Sequence, residues 1–214
     1  MIPDAPLSTR LSLMAITDPV AKPGLVPAAI EAIRAGAPAL QIRWKGATAR
    51  QLLSLADELR PVARATGALL IVNDRLDVAI AAHADGVHLG DDDIPLEVAR
   101  RIAPTPFLIG RSVDTVADAI AAERDGADYI GAGPVHPTNS KGDTGPIMGV
   151  EGISRICEAV TIPVLGIGGI APGTAAEVVR AGAAGVAVLG GIMFADDAAE
   201  ATRQLLEEVA GQPS

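Results

Sequence analysis

The sequence has little cysteine, fewer basic than acidic side chains and no long apolar run. A single cysteine, Cys157, excludes an intrachain disulfide and is typical of a reducing cytoplasm. Seventeen Lys and Arg against 26 Asp and Glu give a net charge of -9, which argues against nonspecific binding to nucleic acid or anionic lipid. No apolar stretch reaches the roughly 18 residues of a membrane helix, and residues 1–10 show no export signal. We therefore expect a cytoplasmic protein without nucleic-acid or membrane partners.

Hydrophobic residues are abundant, at 49% of the 214 residues, so the chain can bury a sizeable core. Short runs rich in Val, Ile and Leu alternate with longer Ala-rich segments of helical periodicity. Most of the runs are apolar throughout rather than alternating, which is typical of parallel strands covered on both faces. The predicted strands are 11–18, 39–45, 68–74, 86–90, 107–113, 129–135, 163–169 and 185–191. The predicted helices are 26–35, 49–65, 76–84, 96–103, 116–125, 150–160, 174–181 and 197–209.

Eight strand–helix pairs in a chain of this length predict a single (βα)8 TIM barrel that spans residues 1–214, with no second domain. The alternative is an open, doubly wound sheet, which usually has five or six strands and a glycine-rich first turn. The first predicted loop, 17–24, contains no GxGxxG pattern. The sequence therefore favours the barrel.

Polar residues cluster at the predicted carboxyl ends of the strands, which form the active face of a barrel. Gln41, Arg43 and Lys45 alternate along the second strand, so all three side chains should point into the barrel mouth. Asp74 follows the third strand and Asp93 follows the fourth, and two carboxylates that share one mouth are costly without a cation. Such hard oxygen ligands suit Mg²⁺ that is shared with substrate phosphates. Singly, these residues could also be solvated strand-end charges or parts of a helix-capping turn.

Glycines follow the last two strands, at Gly168 and Gly169 and again at Gly190 and Gly191. They could simply relieve crowding, but they also match the usual phosphate site of a barrel, where backbone N–H groups face an anion. We expect no activated nucleophile, because Ser112 has no evident His–Asp partner, and we assign no role to His88. The favoured chemistry is departure of a diphosphate, assisted by metal and cations, beside a second phosphorylated substrate.

Seven motifs follow one another in register: Gln41-x-Arg43-x-Lys45, Asn73-Asp74-Arg75, Asp85-Gly86-Val87-His88-Leu89-Gly90 with Asp93, Ile109-Gly110-x-Ser112, Gly126-Ala127-Asp128-Tyr129-Ile130-Gly131, Gly133-Pro134-Val135-x-Pro137-Thr138 with Lys141, and Gly166-Ile167-Gly168-Gly169-Ile170. In this combination the chain resembles the thiamine-phosphate synthase family. The resemblance implies a (βα)8 transferase that joins 4-amino-2-methyl-5-hydroxymethylpyrimidine diphosphate to 4-methyl-5-(2-phosphoethyl)thiazole, giving thiamine phosphate and diphosphate. It implies that the C–O bond breaks first and that the thiazole nitrogen captures the resulting methylene cation.

The same resemblance implies roles for residues at matching positions. The diphosphate would be held by Arg43, Lys45, Asn73 and Lys141. The metal, Mg²⁺, would be held by Asp74 and Asp93. The pyrimidine and the leaving group would be oriented by Gln41 and Ser112. The thiazole phosphate would be contacted by Thr138, Ser140 and the backbone of Gly169, Gly191 and Ile192. Among these, the catalytic residues would be Arg43, Lys45, Ser112 and Lys141.

The sequence departs from the family pattern in three places. Trp44 replaces a common Glu and should point away from the barrel interior, and Val113-Asp114 replace a small residue and a His. Gly190 removes a hydroxyl from the phosphate site, which predicts weaker phosphate binding.

Two alternatives remain. A thiazole tautomerase shares the fold, but it carries a catalytic His where this sequence has Pro134 and typically lacks the acidic pair. A non-catalytic sensor of thiamine precursors is disfavoured by the intact acidic and basic sets. The sequence leaves the oligomeric state open, a homo-oligomer included.

Overall fold

Eight parallel strands pair in chain order, and the first closes on the last to form a barrel. The structure is a computed structural model that describes residues 5–21, 24–138 and 146–211. The strands are β1 Leu13–Ile16, β2 Ala39–Ile42, β3 Leu69–Asn73, β4 Gly86–Leu89, β5 Leu108–Val113, β6 Tyr129–Ala132, β7 Val164–Ile167 and β8 Gly185–Val188. The predicted (βα)8 barrel is confirmed, and the open-sheet alternative is wrong.

Helices follow the strands and pack around the barrel. They are α1 Leu7–Arg10, α2 Leu25–Arg34, α3 Ala49–Thr66, α4 Leu76–Ala81, α5 Leu96–Ile102, α6 Val116–Arg124, α7 Gly149–Ala159, α8 Ala175–Arg180, α9 Gly190–Met193 and α10 Ala198–Ala210. All eight predicted helices are present, whereas α1 and α9 were not predicted. The predicted eighth strand was too long at its carboxyl end, because Gly190 and Gly191 begin α9.

Local signals explain where helices begin and end. At the start of α3, the Thr48 side chain accepts a hydrogen bond from the Gln51 N–H, and the Gln51 side chain accepts one from the Thr48 N–H. At its end, Gly67 adopts a left-handed conformation with φ 78°, which only glycine adopts without strain. No helix of the described ranges is long and apolar enough to cross a membrane.

Alternate residues of each strand face two separate apolar cores. Leu40 and Ile42 of β2 belong to the outer core between sheet and helices, and Trp44 packs against the same core, as the alternation predicts. The inner core fills the barrel with Leu11, Met14, Ile16, Ala39, Leu69, Ile71, Tyr129, Leu165 and Ala187. Each fully buried Leu or Ile contributes about 1.5–3 kcal/mol. This packed interior forms the floor on which the polar mouth rests.

Candidate active site

A cavity of about 260 Å³ opens at the carboxyl ends of the strands. Its base is apolar and includes Ile16, Ile167, Ala187 and Leu189. Of the predicted site residues that the structure describes, seven line it: Gln41, Arg43, Asn73, Ser112, Thr138, Gly169 and Gly191. The barrel therefore gathers residues that lie up to 150 positions apart in the sequence, such as Gln41 and Gly191.

Arg43 lies just beyond the end of β2, where paired contacts hold its backbone. The Arg43 N–H donates to the Thr17 hydroxyl at 2.8 Å, and that hydroxyl donates to the Arg43 carbonyl oxygen at 2.9 Å. The Arg43 guanidinium lies 3.6 Å from the Asp18 carboxylate, and the residue is only 9% exposed. Neither Thr17 nor Asp18 was predicted to belong to this site. Together they fix a buried cation at one side of the mouth.

Asp74 and Asp93 form a close acidic pair at the rim of the mouth. Burial first, and then the charge and hydrogen bond of Asp93, raise the pKa of the Asp74 carboxyl to about 6. The charges of Lys45 and Arg43 act in the opposite direction, because both cations lie near enough to stabilise the ionised Asp74 carboxylate. The Asp93 carboxylate accepts a hydrogen bond from the Gly90 N–H at 2.6 Å. Two carboxylates held this close repel each other until a bound cation or a proton neutralises part of their negative charge.

The backbone of Asp74 is itself unusual. Its φ of 64° lies in the left-handed region, which Asp tolerates better than most residues. Its N–H donates to the His88 carbonyl oxygen at 2.8 Å, so the strained conformation is held by the neighbouring strand. Strain of this kind clusters at functional sites.

The donor set fits Mg²⁺. In the described part of the chain, no group of three or more His, Cys, Asp or Glu side chains could hold a metal ion. An ion on Asp74 and Asp93 would therefore take most of its oxygen ligands from water and substrate, which is the coordination that Mg²⁺ favours.

Ser112 has a histidine partner that the sequence did not predict, although no aspartate of the described ranges joins it. The His88 Nε2 lies 3.0 Å from the Ser112 Oγ, and the His88 Nδ1 lies 3.1 Å from the Tyr129 hydroxyl. The third member of this trio is a phenol rather than a carboxylate, so the trio is not a nucleophile-activating triad. A signal was present in the sequence: Gly110 and Gly131 leave inward positions of β5 and β6 without side chains.

Glycines shape the opposite side of the mouth. Gly168 and Gly169 have φ values of 95° and 68°, and a Cβ on Gly169 would lie 2.6 Å from the His136 Cβ. The His136 N–H donates to the Gly168 carbonyl oxygen at 3.0 Å, and its Nε2 lies 3.1 Å from the Glu177 carboxylate. The chain thus requires glycine where the loops after β6 and β7 meet.

The start of α9 borders the same region. A Cβ on Gly191 would lie 2.7 Å from the Ile170 carbonyl oxygen, whereas a Cβ on Gly190 would meet only the Phe194 ring, at 3.3 Å. Ile192 is fully buried, and its N–H donates to the Leu189 carbonyl oxygen at 3.2 Å. Gly191 lines the cavity. Ile192, whose backbone was also predicted to contact the phosphate, lies outside the lining, and its N–H already has an acceptor.

Several predicted residues lie outside the cavity lining. Lys45, Asp74 and Asp93 stand at the rim and meet one another electrostatically. Ser140 and Lys141 fall in 139–145, outside the described residues. Asp114 lines the cavity and does not cap a helix, since the Thr115 hydroxyl caps α6.

Comparison with known proteins gives a consistent result. Residues 13–192 match a family model described as thiamine monophosphate synthase. The thiamine-phosphate synthase of Methanospirillum hungatei is 46% identical over 197 residues, covering 91% of this chain and 96% of that protein. The corresponding protein of Roseiflexus castenholzii is 50% identical over 179 residues, covering 84% of this chain and 78% of its own length. The solved structure of thiamine phosphate pyrophosphorylase from Pyrococcus furiosus has a TM-score of 0.90 at 43% identity, covering 96% of this chain and 98% of that one.

Proposed function

The chain belongs to the thiamine monophosphate synthase family, and from this premise we propose how the residues of its barrel mouth divide the work of the reaction. The chain is a transferase with the activity of a thiamine-phosphate synthase. Its partners are small phosphorylated molecules, a pyrimidine diphosphate and a thiazole phosphate. A cytoplasmic location and self-association into a homo-oligomer stay predictions of the sequence.

One observation carries the proposal: the acidic pair Asp74 and Asp93 lies beside the cations Arg43 and Lys45 at one mouth. The two carboxylates hold Mg²⁺, and the cations, with Asn73 and Lys141, bind the diphosphate of the pyrimidine substrate. When bound, Mg²⁺ neutralises negative charge that develops on the leaving diphosphate.

The cations matter most as the C–O bond breaks. The bonding electron pair leaves with the diphosphate oxygen, so negative charge grows beside Arg43 and Lys45, and their attraction is stronger in the transition state than in the bound substrate. Gln41 and Ser112 orient the pyrimidine and the leaving group, since both line the cavity beside Arg43.

The apolar base of the cavity protects the intermediate. Water would capture the methylene cation and give an unproductive alcohol, and Ile16, Ile167 and Leu189 leave little room for ordered water beneath the reacting carbon. The lone pair of the thiazole nitrogen then forms the new C–N bond. No enzyme nucleophile takes part.

The glycine side holds the second substrate. Backbone N–H groups at Gly169 and Gly191, supported by Ile192, face the thiazole phosphate, and the hydroxyls of Thr138 and Ser140 add side-chain donors. This arrangement leaves the two phosphorylated groups on opposite sides of one cavity, with the reacting carbon and nitrogen between them.

The alternatives have less support. A tautomerase needs a proton-transfer group after Gly133, and the cavity there is lined by Pro134, which has none. A sensor would not need the repelling acidic pair at the rim.

The test is turnover by the purified protein with both substrates and Mg²⁺. We expect one diphosphate released for each thiamine phosphate formed, with activity lost on chelation by EDTA and restored by added Mg²⁺. Omission of the thiazole phosphate is the control and should abolish thiamine phosphate formation. Isomerisation of the thiazole without condensation, or binding of either ligand without turnover, would contradict the proposal.

A further inference from the structure

Three side chains from three neighbouring strands form a hydrogen-bonded line on the inner wall of the barrel. Tyr129 stands at the start of β6, His88 lies in β4, and Ser112 lies in β5 between them. The Tyr129 hydroxyl is 3.1 Å from the His88 Nδ1, and the His88 Nε2 is 3.0 Å from the Ser112 Oγ. Tyr129 is fully buried and His88 is 7% exposed, while His88 and Ser112 both reach the cavity.

The barrel wall is built to hold the histidine ring in this place. A Cβ on Gly110 would lie 2.6 Å from the His88 Nδ1, and a Cβ on Gly131 would lie 3.0 Å from its Cε1. Any larger residue at Gly110 would have to displace the side chains of both Tyr129 and His88. The centroids of the His88 and Tyr129 rings are 5.5 Å apart, a contact distance typical of packed rings.

The direction of the line follows from Tyr129. Burial raises the pKa of its hydroxyl well above the usual range, so the hydroxyl keeps its proton. Among the residues that the structure describes, His88 is the one hydrogen-bond partner of this hydroxyl. A buried O–H group without an acceptor is costly, so the hydroxyl donates to Nδ1.

The rest of the line is then determined. An Nδ1 that accepts a hydrogen bond carries no proton of its own, so the ring proton sits on Nε2, and this N–H donates to the Ser112 Oγ. The Ser112 proton therefore points to the cavity. If His88 carried its proton on Nδ1 instead, the Ser112 hydroxyl would donate to Nε2 and would offer the substrate only lone pairs. The buried Tyr129 hydroxyl would then lack an acceptor.

We propose that Tyr129 and His88 are positioning residues that orient Ser112 as a hydrogen-bond donor to the pyrimidine diphosphate. The inference deepens the proposed function and rests on it for the identity of the substrate, but the direction of the line can be measured without turnover.

The first test is the tautomer of His88. In ¹⁵N-labelled protein at one fixed pH, we expect a His88 ring with a protonated Nε2 and a bare Nδ1. The chain has three histidines, and His83→Asn and His136→Gln identify the signals of the other two. Tyr129→Phe should move the Nδ1 signal most. A His88 ring that carries its proton on Nδ1 would overturn the proposal, whatever reaction the protein catalyses.

The second test is a double-mutant cycle on turnover. We expect Tyr129→Phe alone to lower kcat by about 10-fold. In a Ser112→Ala background the same change should lower kcat by less than about 2-fold, because Tyr129 and His88 act through Ser112. KM for the thiazole phosphate should not change. His88→Gln, whose amide can still donate to Ser112, should retain more activity than His88→Leu. Equal losses from Tyr129→Phe in both backgrounds would show a merely structural role.

The two tests separate the failures. A wild-type protein that makes no thiamine phosphate would contradict the proposed function, and the tautomer would still decide the direction of the line. If the wild-type enzyme turns over but the kcat losses of Tyr129→Phe and Ser112→Ala are independent, only the positioning role of Tyr129 and His88 is overturned. Thermal unfolding of each variant verifies that the activities compared belong to folded protein.

Discussion

The two sides of the barrel mouth differ in construction, and we propose that they bind anions by different means. The charged side depends on side chains, those of Arg43, Lys45, Asn73, Asp74 and Asp93. The carboxylates of its acidic pair repel each other until a cation binds between them. The glycine side, made of Gly168, Gly169 and Gly191, depends on backbone that close packing has already shaped. Changes on the charged side should therefore alter rate and metal dependence, and changes on the glycine side should alter phosphate affinity.

The largest effect should come from removing one of the two proposed metal ligands. Asp93→Asn should lower kcat by about 10²-fold or more, because the charge that develops on the leaving diphosphate loses its counter-ion. Steady-state kinetics at saturating substrates measure this loss. Asp92→Asn is the matched control, since Asp92 is an exposed neighbour in the same loop, and it should keep near wild-type turnover. Equal activity in the two variants would mean that Asp93 is not a ligand.

A smaller effect should come from the glycine side. Gly169→Ala introduces a Cβ at φ 68° that would lie 2.6 Å from the His136 Cβ. We expect KM for the thiazole phosphate to rise about 10-fold, equal to about 1.4 kcal/mol, with KM for the pyrimidine diphosphate unchanged. Gly173→Ala is the control, because Gly173 has φ 100° but no atom within 4 Å of a Cβ. An equal rise in both variants would point to backbone strain rather than crowding of the phosphate site.

The repulsion between the Asp74 and Asp93 carboxylates should also lower the free energy of unfolding. The pKa of Asp74 is raised from 3.8 to about 6, so the folded protein binds this proton more tightly, and stability without metal falls as pH rises through that window. Asp74→Asn removes this repulsion. After allowance for solvent screening, the substitution should raise the unfolding free energy by about 1 kcal/mol at pH 8, a shift of about 2–4 °C in Tm.

The asparagine variant is suited to this measurement because Asn also tolerates the left-handed backbone of Asp74. Below about pH 4 the stability gain should vanish, since both forms of the side chain are then neutral. Mg²⁺ should raise the Tm of the wild type, and the size of that effect should fall as pH drops through about 6. A wild type that is more stable than the variant at pH 8 without metal would contradict this interpretation.

The smallest effect should come from restoring a hydroxyl at the start of α9. Gly190 is not at a positive φ, and a Cβ there meets only the Phe194 ring. Gly190→Ser should lower KM for the thiazole phosphate about 3-fold, within the usual contribution of one hydrogen bond. Gly190→Ala, which lacks the hydroxyl, should bring no gain. A higher KM in the serine variant would show that the phosphate does not approach α9.

The sequence predicted the barrel because its strands and helices have distinct local patterns. Continuous Val- and Ile-rich runs and glycine-terminated helices each depend on neighbours in sequence, and Gly67 ends α3 as such a signal predicts. The alternation along β2 also placed Gln41 and Arg43 in the cavity and Trp44 outside it. Alternate residues of a strand point to opposite faces of the sheet, so the facing of these side chains could be predicted without tertiary information.

Contacts between strands could not be predicted in the same way. The pairing of His88 with Ser112 depends on the register of β4 against β5, where His88 lies opposite Gly110, and register is not written in either strand alone. The left-handed backbone of Asp74 depends on a hydrogen bond to β4. Helix α9 was missed because Gly190 and Gly191 are poor helix formers. The close approach of Gly191 to the Ile170 carbonyl oxygen is a tertiary contact that the local sequence does not reveal.

The most direct test of the central claim is a crystal structure of the protein with Mn²⁺, which prefers the same oxygen ligands as Mg²⁺, and inorganic diphosphate, the product. Anomalous scattering locates the metal without ambiguity. We expect one Mn²⁺ coordinated by Asp74 and Asp93, with the diphosphate bridging from the metal to Arg43 and the glycine side left for the second phosphate. A metal bound elsewhere, or a diphosphate seated on Gly169 and Gly191, would contradict the division of the mouth into a charged and a glycine side.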